Sequence, residues 1–129
     1  MTREKLPNRR PRTPIEFELG GHRFTGGAGH YPDGRIGEVF LSGNKPNSPR
    51  DIDVKDAAIA ASLAIQFGCP PEVLRHAFLR DDDGKPAGVL GCLFDKLEEH
   101  RLGNMLRGWE PVPAPKPTFW GRFRQWVGA

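Results

Sequence analysis

Residues 15–41 read IEFELGGHRFTGGAGHYPDGRIGEVFL, and the fold turns on how that stretch is punctuated. "IEFEL" alternates apolar and charged residues, the period of a half-buried strand. Gly20-Gly21 interrupts it, and Pro32-Asp33-Gly34 interrupts again further on. Both are turn sequences for a physical reason: glycine accepts positive φ, and proline presets the first corner. Segments at about 15–19, 22–29 and 35–41 therefore predict a three-stranded antiparallel meander. Ile15, Phe17, Leu19, Val39 and Leu41 point to its covered face. Gly26, Gly27 and Gly29 weaken the middle strand and predict a bulge or a close neighbour there.

Helices follow the meander. "SGNKPNSPRD" is a loop, and Ser48 before Pro49 and Asp51 is a helix start, with Asp53 as an alternative cap. The first helix runs to Phe67, and Gly68 suits the left-handed residue after it. At 100° per residue, Lys55, Ser62 and Gln66 share one stripe, read as the solvent side. Ala57, Ala60, Ala61 and Ala64 lie opposite, flanked by Val54 and Ile65 on one side and Leu63 and Phe67 on the other. Such a methyl-lined face predicts close packing on another element. A short second helix, "PPEVLRHAFLR", carries Val73, Leu74, Ala77 and Phe78 on one face. After "DDDGK" a third runs from Pro86 to about Leu102, with Val89, Leu90, Leu93, Phe94 and Leu97 inward. The fold class is α+β: a meander followed by two to three packed helices.

The ends differ from the middle. Residues 1–14 hold five basic side chains and one acidic, with no hydrophobic period, and read as a disordered basic arm. Residues 15–104 form the domain. Residues 105–118, with "EPVPAPKP", read as a proline-rich linker of extended polyproline type. Residues 119–129 are an aromatic, basic tail. The chain's net charge is +3, yet residues 15–110 hold 11 basic and 15 acidic side chains, so the basicity belongs to the ends. A basic groove on the domain does not follow from it. No apolar run is long enough to cross a membrane, and the N-terminus lacks a secretory apolar segment. Two cysteines outside any C-x-x-C pair point to free thiols in the cytoplasm and not to a zinc site.

The chemistry-bearing residues are few. Cys69 lies between a helix end and two prolines, and Cys92 lies on the apolar face of the third helix. His22, His30, His76 and His100 are scattered, so no catalytic set assembles. "GGAGHYPDG" lacks the helix that a dinucleotide loop needs after it. "DDDG" lacks the closing glutamate of a calcium loop and reads as a solvated turn. In the tail, Phe119, Trp120, Phe123 and Trp126 share a face at helical spacing beside Arg122 and Arg124. That face can fold back on the domain, dock a partner or lie on an anionic membrane. The basic "NRRPR" can make weak phosphate contacts with nucleic acid.

The ordered runs "GRIGEVFLSGNK", "AAIAASLAIQFG", "CPPEVLRHAF" and "GKPAGVLGCLFDKL" carry a family likeness. Together, over about residues 15–102, they resemble the TSCPD-type domain near the C-terminus of adenosylcobalamin-dependent (class II) ribonucleotide reductases, a domain also found free-standing. The resemblance implies a link to deoxyribonucleotide synthesis. Whole reductases of that kind make a thiyl radical with adenosylcobalamin and recycle a cysteine pair through thioredoxin. This chain has two cysteines, and "NSPRD" stands where the name-giving cysteine motif lies. The expectation is an accessory or binding module, not an autonomous catalyst, that binds no cofactor alone and has a reductase subunit or a nucleotide as partner. In such a module Gly43, Lys45 and Arg50, before the first helix, are the anion-contact candidates, because free amide N–H groups gather at a helix start. The alternative is a peripheral membrane or partner-docking protein acting through the tail.

Overall fold

A computed structural model describes residues 2–106. Its elements are β1 (Arg12–Leu19), β2 (His22–His30), β3 (Ile36–Gly43), α1 (Pro49–Gln66), α2 (Pro71–Ala77) and α3 (Val89–Leu106). The strands form one antiparallel sheet in the order β1-β2-β3. Gly20 and Gly21 turn the first hairpin with φ of 60° and 80°, both in the left-handed region that the tight turn requires. A bulge falls between Gly29 and His30, within the glycine run where one was expected.

The register puts Phe17 opposite Phe24, Gly26 opposite Leu41 and Ala28 opposite Val39. These residues make up one face, and Phe17, Phe24, Ala28, Val39 and Leu41 are buried on it. The Phe17 and Phe24 rings stack at 5.7 Å. From the helices, Val54, Ala58, Ala61 and Ile65 of α1 and Cys92, Leu93, Phe94 and Leu97 of α3 complete the core. The α+β meander with packed helices stands as expected, although α3 begins at Val89, not Pro86, and reaches Leu106. Residues 79–87 make a small bridged turn instead, with Arg80 pairing Pro86 and Ala87 N–H donating to Leu79 O at 2.9 Å.

Both ends of α1 follow the sequence rules. Ser48 Oγ accepts from Asp51 N–H at 3.2 Å, and Pro49 occupies the first turn. At the far end Gly68 has φ of 110°. Cys69 N–H reaches Ala64 O at 2.9 Å and Gly68 N–H reaches Ile65 O at 3.0 Å, the paired bonds of a Schellman stop.

The orientation of α1 differs from the helical map. Ser62 and Gln66 do not face solvent. Ser62 Oγ accepts from Val39 N–H and donates to Val39 O, both at 2.9 Å. Gln66 Nε2 donates to Gly37 O at 3.0 Å, and Asp51 Oδ1 accepts from Gly43 N–H at 2.8 Å. Gly37, Val39 and Gly43 lie on the edge of β3 away from β2. Their N–H and C=O groups have no strand to pair with and need partners elsewhere. The polar stripe of α1 supplies them. Lys55, at the margin of that stripe, is exposed as expected. Of the alanines expected inside, Ala61 is buried, Ala57 and Ala64 are half-buried and Ala60 is exposed. The side turned to water carries Ile52, Ile59, Leu63 and Phe67, at 49%, 58%, 39% and 37% exposure.

Residues 2–11 have neither helix nor strand, but the arm is fastened. Glu4 N–H donates to Gln66 O at 2.8 Å, Arg3 Nε bonds Gln66 Oε1, and Arg10 pairs with Glu38 at 2.8 Å. Tyr31 Oη donates to Glu4 O. Gln66 thus ties arm, helix and strand edge together from a buried position. Gln66→Ala strands the Gly37 carbonyl and is expected to cost about 1–3 kcal/mol in urea denaturation. An unchanged midpoint would show that neither arm nor edge depends on it.

Candidate functional site

Two places concentrate polar chemistry, one at each end of α1. At its start lie Gly43, Lys45 and Arg50. The structure brings Gly43 against the helix, where a Cβ on it would sit 3.2 Å from the Asp51 Cα. Its N–H is already committed to Asp51 Oδ1. Asn47 N–H donates to Asp51 Oδ2 at 3.0 Å, and Lys55 Nζ stands 3.0 Å from the same oxygen. Asn47 takes φ of 60° to present its N–H. A carboxylate of the chain itself, 1% exposed, therefore occupies the position where an external anion would meet these donors. Lys45 and Arg50 remain on the surface, Arg50 Nη1 lying 3.2 Å from His22 Nδ1. Any anion contact in this loop falls to those two side chains without Gly43.

Asp51 is the residue that sequence reading undervalued. The sequence places Asp51 only as part of the helix start after Ser48, whereas its carboxylate turns to the strand edge and the loop. Lys55 first, then the Asn47 and Gly43 N–H groups, hold its carboxyl below the usual 3.8. A carboxyl lowered in the folded state stabilises the fold above its unfolded pKa, and that stabilisation is lost as pH falls through the folded value. Stability is therefore expected to drop as pH falls below about 3.8. Asp51→Asn should flatten that part of the pH profile, measured by denaturant midpoints. A slope identical to that of the parent chain would remove Asp51 from the acid response.

At the other end of α1 a groove of about 950 Å³ opens between the arm, the β2–β3 turn, the start of α2 and the end of α3. Ile36, Ile65, Phe94 and Leu97 contribute apolar wall, and Tyr31, Arg75 and Arg101 contribute polar edge. Arg35 stacks over the Tyr31 ring at 4.7 Å and pairs with Glu4 and Asp33. Arg101 pairs with Glu98 at 2.6 Å. Outside the groove, Asp95 takes both Arg80 and Arg75, locking α2 and the bridged turn to α3.

Cys69 lies in the wall of this groove, 3% exposed. Burial pushes its thiol up to about 11, so at neutral pH it carries its proton and is a poor nucleophile. Cys92, in the core, is also pushed up by burial. Among the histidines, His30 has both ring nitrogens engaged, one with Thr13 Oγ1 at 2.8 Å and one with Gly34 O at 3.1 Å. No group of three metal-ligating side chains occurs among the described residues. Iodoacetamide labelling of Cys69 is expected to stay slow at neutral pH and to accelerate only toward pH 11. A rate that follows an ordinary exposed thiol would overturn this.

The tail candidates Phe119, Trp120, Arg122, Phe123, Arg124 and Trp126 lie outside the described residues. Within those residues no helix is long and apolar enough to cross a membrane. The sequence reading also missed the exposed Ile52–Phe67 face of α1. The signal was present as a second apolar stripe, but only the strand edge decides which stripe turns inward.

The likeness to vitamin B12-dependent ribonucleotide reductases holds over most of the chain. Over 76 residues, 59% of the chain, it is 41% identical to that enzyme of Agrobacterium fabrum and 37% identical to that of Bradyrhizobium diazoefficiens. Over 105 residues, 81% of the chain, it is 37% identical to the enzyme of Streptomyces clavuligerus. The matched part spans 6% of each of the first two proteins and 11% of the third. No protein-family model matches the chain. No solved structure matches it.

Proposed function

We propose that this chain is an accessory or binding module of deoxyribonucleotide synthesis that docks on a ribonucleotide reductase and performs no radical chemistry itself. The observation that carries the reading is the 41% identity to a segment amounting to 6% of a B12-dependent reductase. The state of its thiols agrees, since both cysteines are buried and held protonated. The vitamin B12 in the relatives' name is said of those proteins, and the module as proposed binds none alone.

The docking face is the outer side of α1. Ile52, Ile59, Leu63 and Phe67 recur along one line of the helix, and each is more than a third exposed. A row of large apolar side chains on a small domain marks a surface that another protein covers. In a reductase the rest of the large chain would cover it.

The test is capture by the tagged chain from its native cells, with mass spectrometry asking whether a ribonucleotide reductase subunit is enriched. Ile59→Glu/Leu63→Glu should lose that enrichment while keeping its unfolding midpoint, because both positions are exposed. Failure to enrich a reductase subunit, or equal enrichment by the variant, would sink the reading.

A further inference from the structure

We propose that the groove beside Cys69 binds a small carboxylate with an apolar body, its charged end taking the place of Glu4 on the Arg35 guanidinium. Arg35 is held ready for such a group. Its guanidinium lies over the Tyr31 ring at 4.7 Å. Asp33, two residues before it in the same turn, accepts from Arg35 Nε at 2.6 Å and from the Arg35 backbone N–H at 3.0 Å. The Nη edge takes Glu4 instead. Nη2 donates to Oε1 at 2.6 Å and Nη1 to Oε2 at 3.3 Å. Two N–H groups on two oxygens is the fork by which arginine selects a carboxylate.

The two carboxylates are not equivalent. Asp33 is a neighbour in the turn, whereas Glu4 comes from 31 residues away, on an arm with neither helix nor strand. The Glu4 side chain is 52% exposed, against 32% for Asp33. An ion pair so open to water contributes little, so a carboxylate from solution can replace it. The arm need not leave. Glu4 keeps its N–H on Gln66 O and its C=O under Tyr31 Oη, and only its side chain swings aside. Arg3, bonded to Gln66 Oε1, adds positive charge at the same end.

Next to this anchor the groove is apolar. Ile36 follows Arg35 directly, and Ile65, Phe94 and Leu97 continue the wall. At about 950 Å³ it lies at the upper end of the range for ligand sites, ~300–1,000 Å³, which leaves room for an acyl or aryl body. At the α2–α3 end Arg75 and Arg101 stand among Glu72 and Glu98, so charge there is balanced and Arg35 sets the polarity of the ligand. The site needs no reductase. Phe67 alone belongs to both the groove rim and the exposed row on α1, so the test leaves Phe67 untouched.

Octanoate is the probe, titrated into the full isotope-labelled chain and followed by NMR. Saturable shifts are expected at Gly34, Arg35, Ile36 and Cys69. Octanol has the body without the charge, and acetate the charge without the body. Each should bind at least about tenfold more weakly than octanoate. Glu4→Gln removes the competing carboxylate and should tighten octanoate binding by about two- to fivefold. Arg35→Gln should weaken it by about tenfold or more while circular dichroism stays folded. The comparison with octanol uses the parent chain, so it decides even where Arg35→Gln unfolds. Equal binding of octanol would overturn the proposal, as would an affinity unmoved by either substitution. Shifts confined to Ile52, Ile59 and Leu63 would overturn it too, by putting octanoate on the outer face of α1. A failed reductase capture changes none of these readings.

Discussion

A single methyl group at Gly27 is expected to lower the unfolding free energy by about 3 kcal/mol. The cost comes from backbone, not from a mobile side-chain tip. A Cβ on Gly27 would collide with the Thr13 carbonyl oxygen of β1 on one side. On the other it would lie 2.8 Å from Phe40 Cζ and 3.1 Å from Phe40 Cε2. The Thr13 carbonyl cannot retreat without opening the β1–β2 ladder, where Pro14 is paired with Gly27 and Thr13 with Ala28. The Phe40 ring is held in turn, with the Arg12 guanidinium over it at 5.6 Å. Gly88→Ala is the control, since a Cβ there meets nothing within 4 Å. Urea denaturation of the two variants should separate them clearly. Equal midpoints would mean that the outer face of the sheet gives way at little cost.

Leu93→Ala is expected to cost about 2–5 kcal/mol. Leu93 is 0% exposed and sits where α3 crosses the covered face of the sheet. Its Cδ1 points at Gly26, where a Cβ would lie 3.4 Å away. Leu93 thus packs on the part of β2 that Gly26 leaves bare, beside Leu41, whose Cδ2 would lie 2.9 Å from a Cβ there. Alanine leaves a cavity that α3 cannot close by settling, because Val89 and Leu90 before it and Phe94 and Leu97 after it already pack in or against the core. Leu93→Met, which keeps the volume, should cost less than about 1.5 kcal/mol. Similar losses for both substitutions would show that shape matters more than volume at this contact.

The glycines were legible in advance as a bulge or a close approach, and both occur. Gly29 and His30 hold the bulge, while Gly26 admits the Phe40 carbonyl and the Leu41 side chain, and Gly27 admits the Thr13 carbonyl and the Phe40 ring. The strands were legible because alternation and turn residues act locally, and the Gly68 stop because left-handed φ favours glycine. The facing of α1 was not. Helical periodicity finds stripes, but Ser62 and Gln66 are polar whether they bond water or Val39 and Gly37. Only the position of the β3 edge distinguishes the two. The N-terminal arm was hidden for a similar reason. Its anchors, Glu4 with Gln66 and Arg10 with Glu38, are single contacts at long sequence separation and leave no period. At the candidate site, Gly43, Lys45 and Arg50 were found as a loop, but Asp51 was not seen as the carboxylate filling it.

The grip of α1 on β3 also decides how this chain can meet copies of itself. A sheet grows into aggregates through an unpaired edge, and side chains of α1 already hold the Gly37, Val39 and Gly43 groups of that edge. Among the described residues β1 is then the remaining side on which a foreign strand could add. Pro14 lies within it, with no N–H to give, and Glu16 and Glu18 stand exposed along it. A three-stranded sheet with one edge clamped and the other interrupted is guarded against polymerising strand by strand.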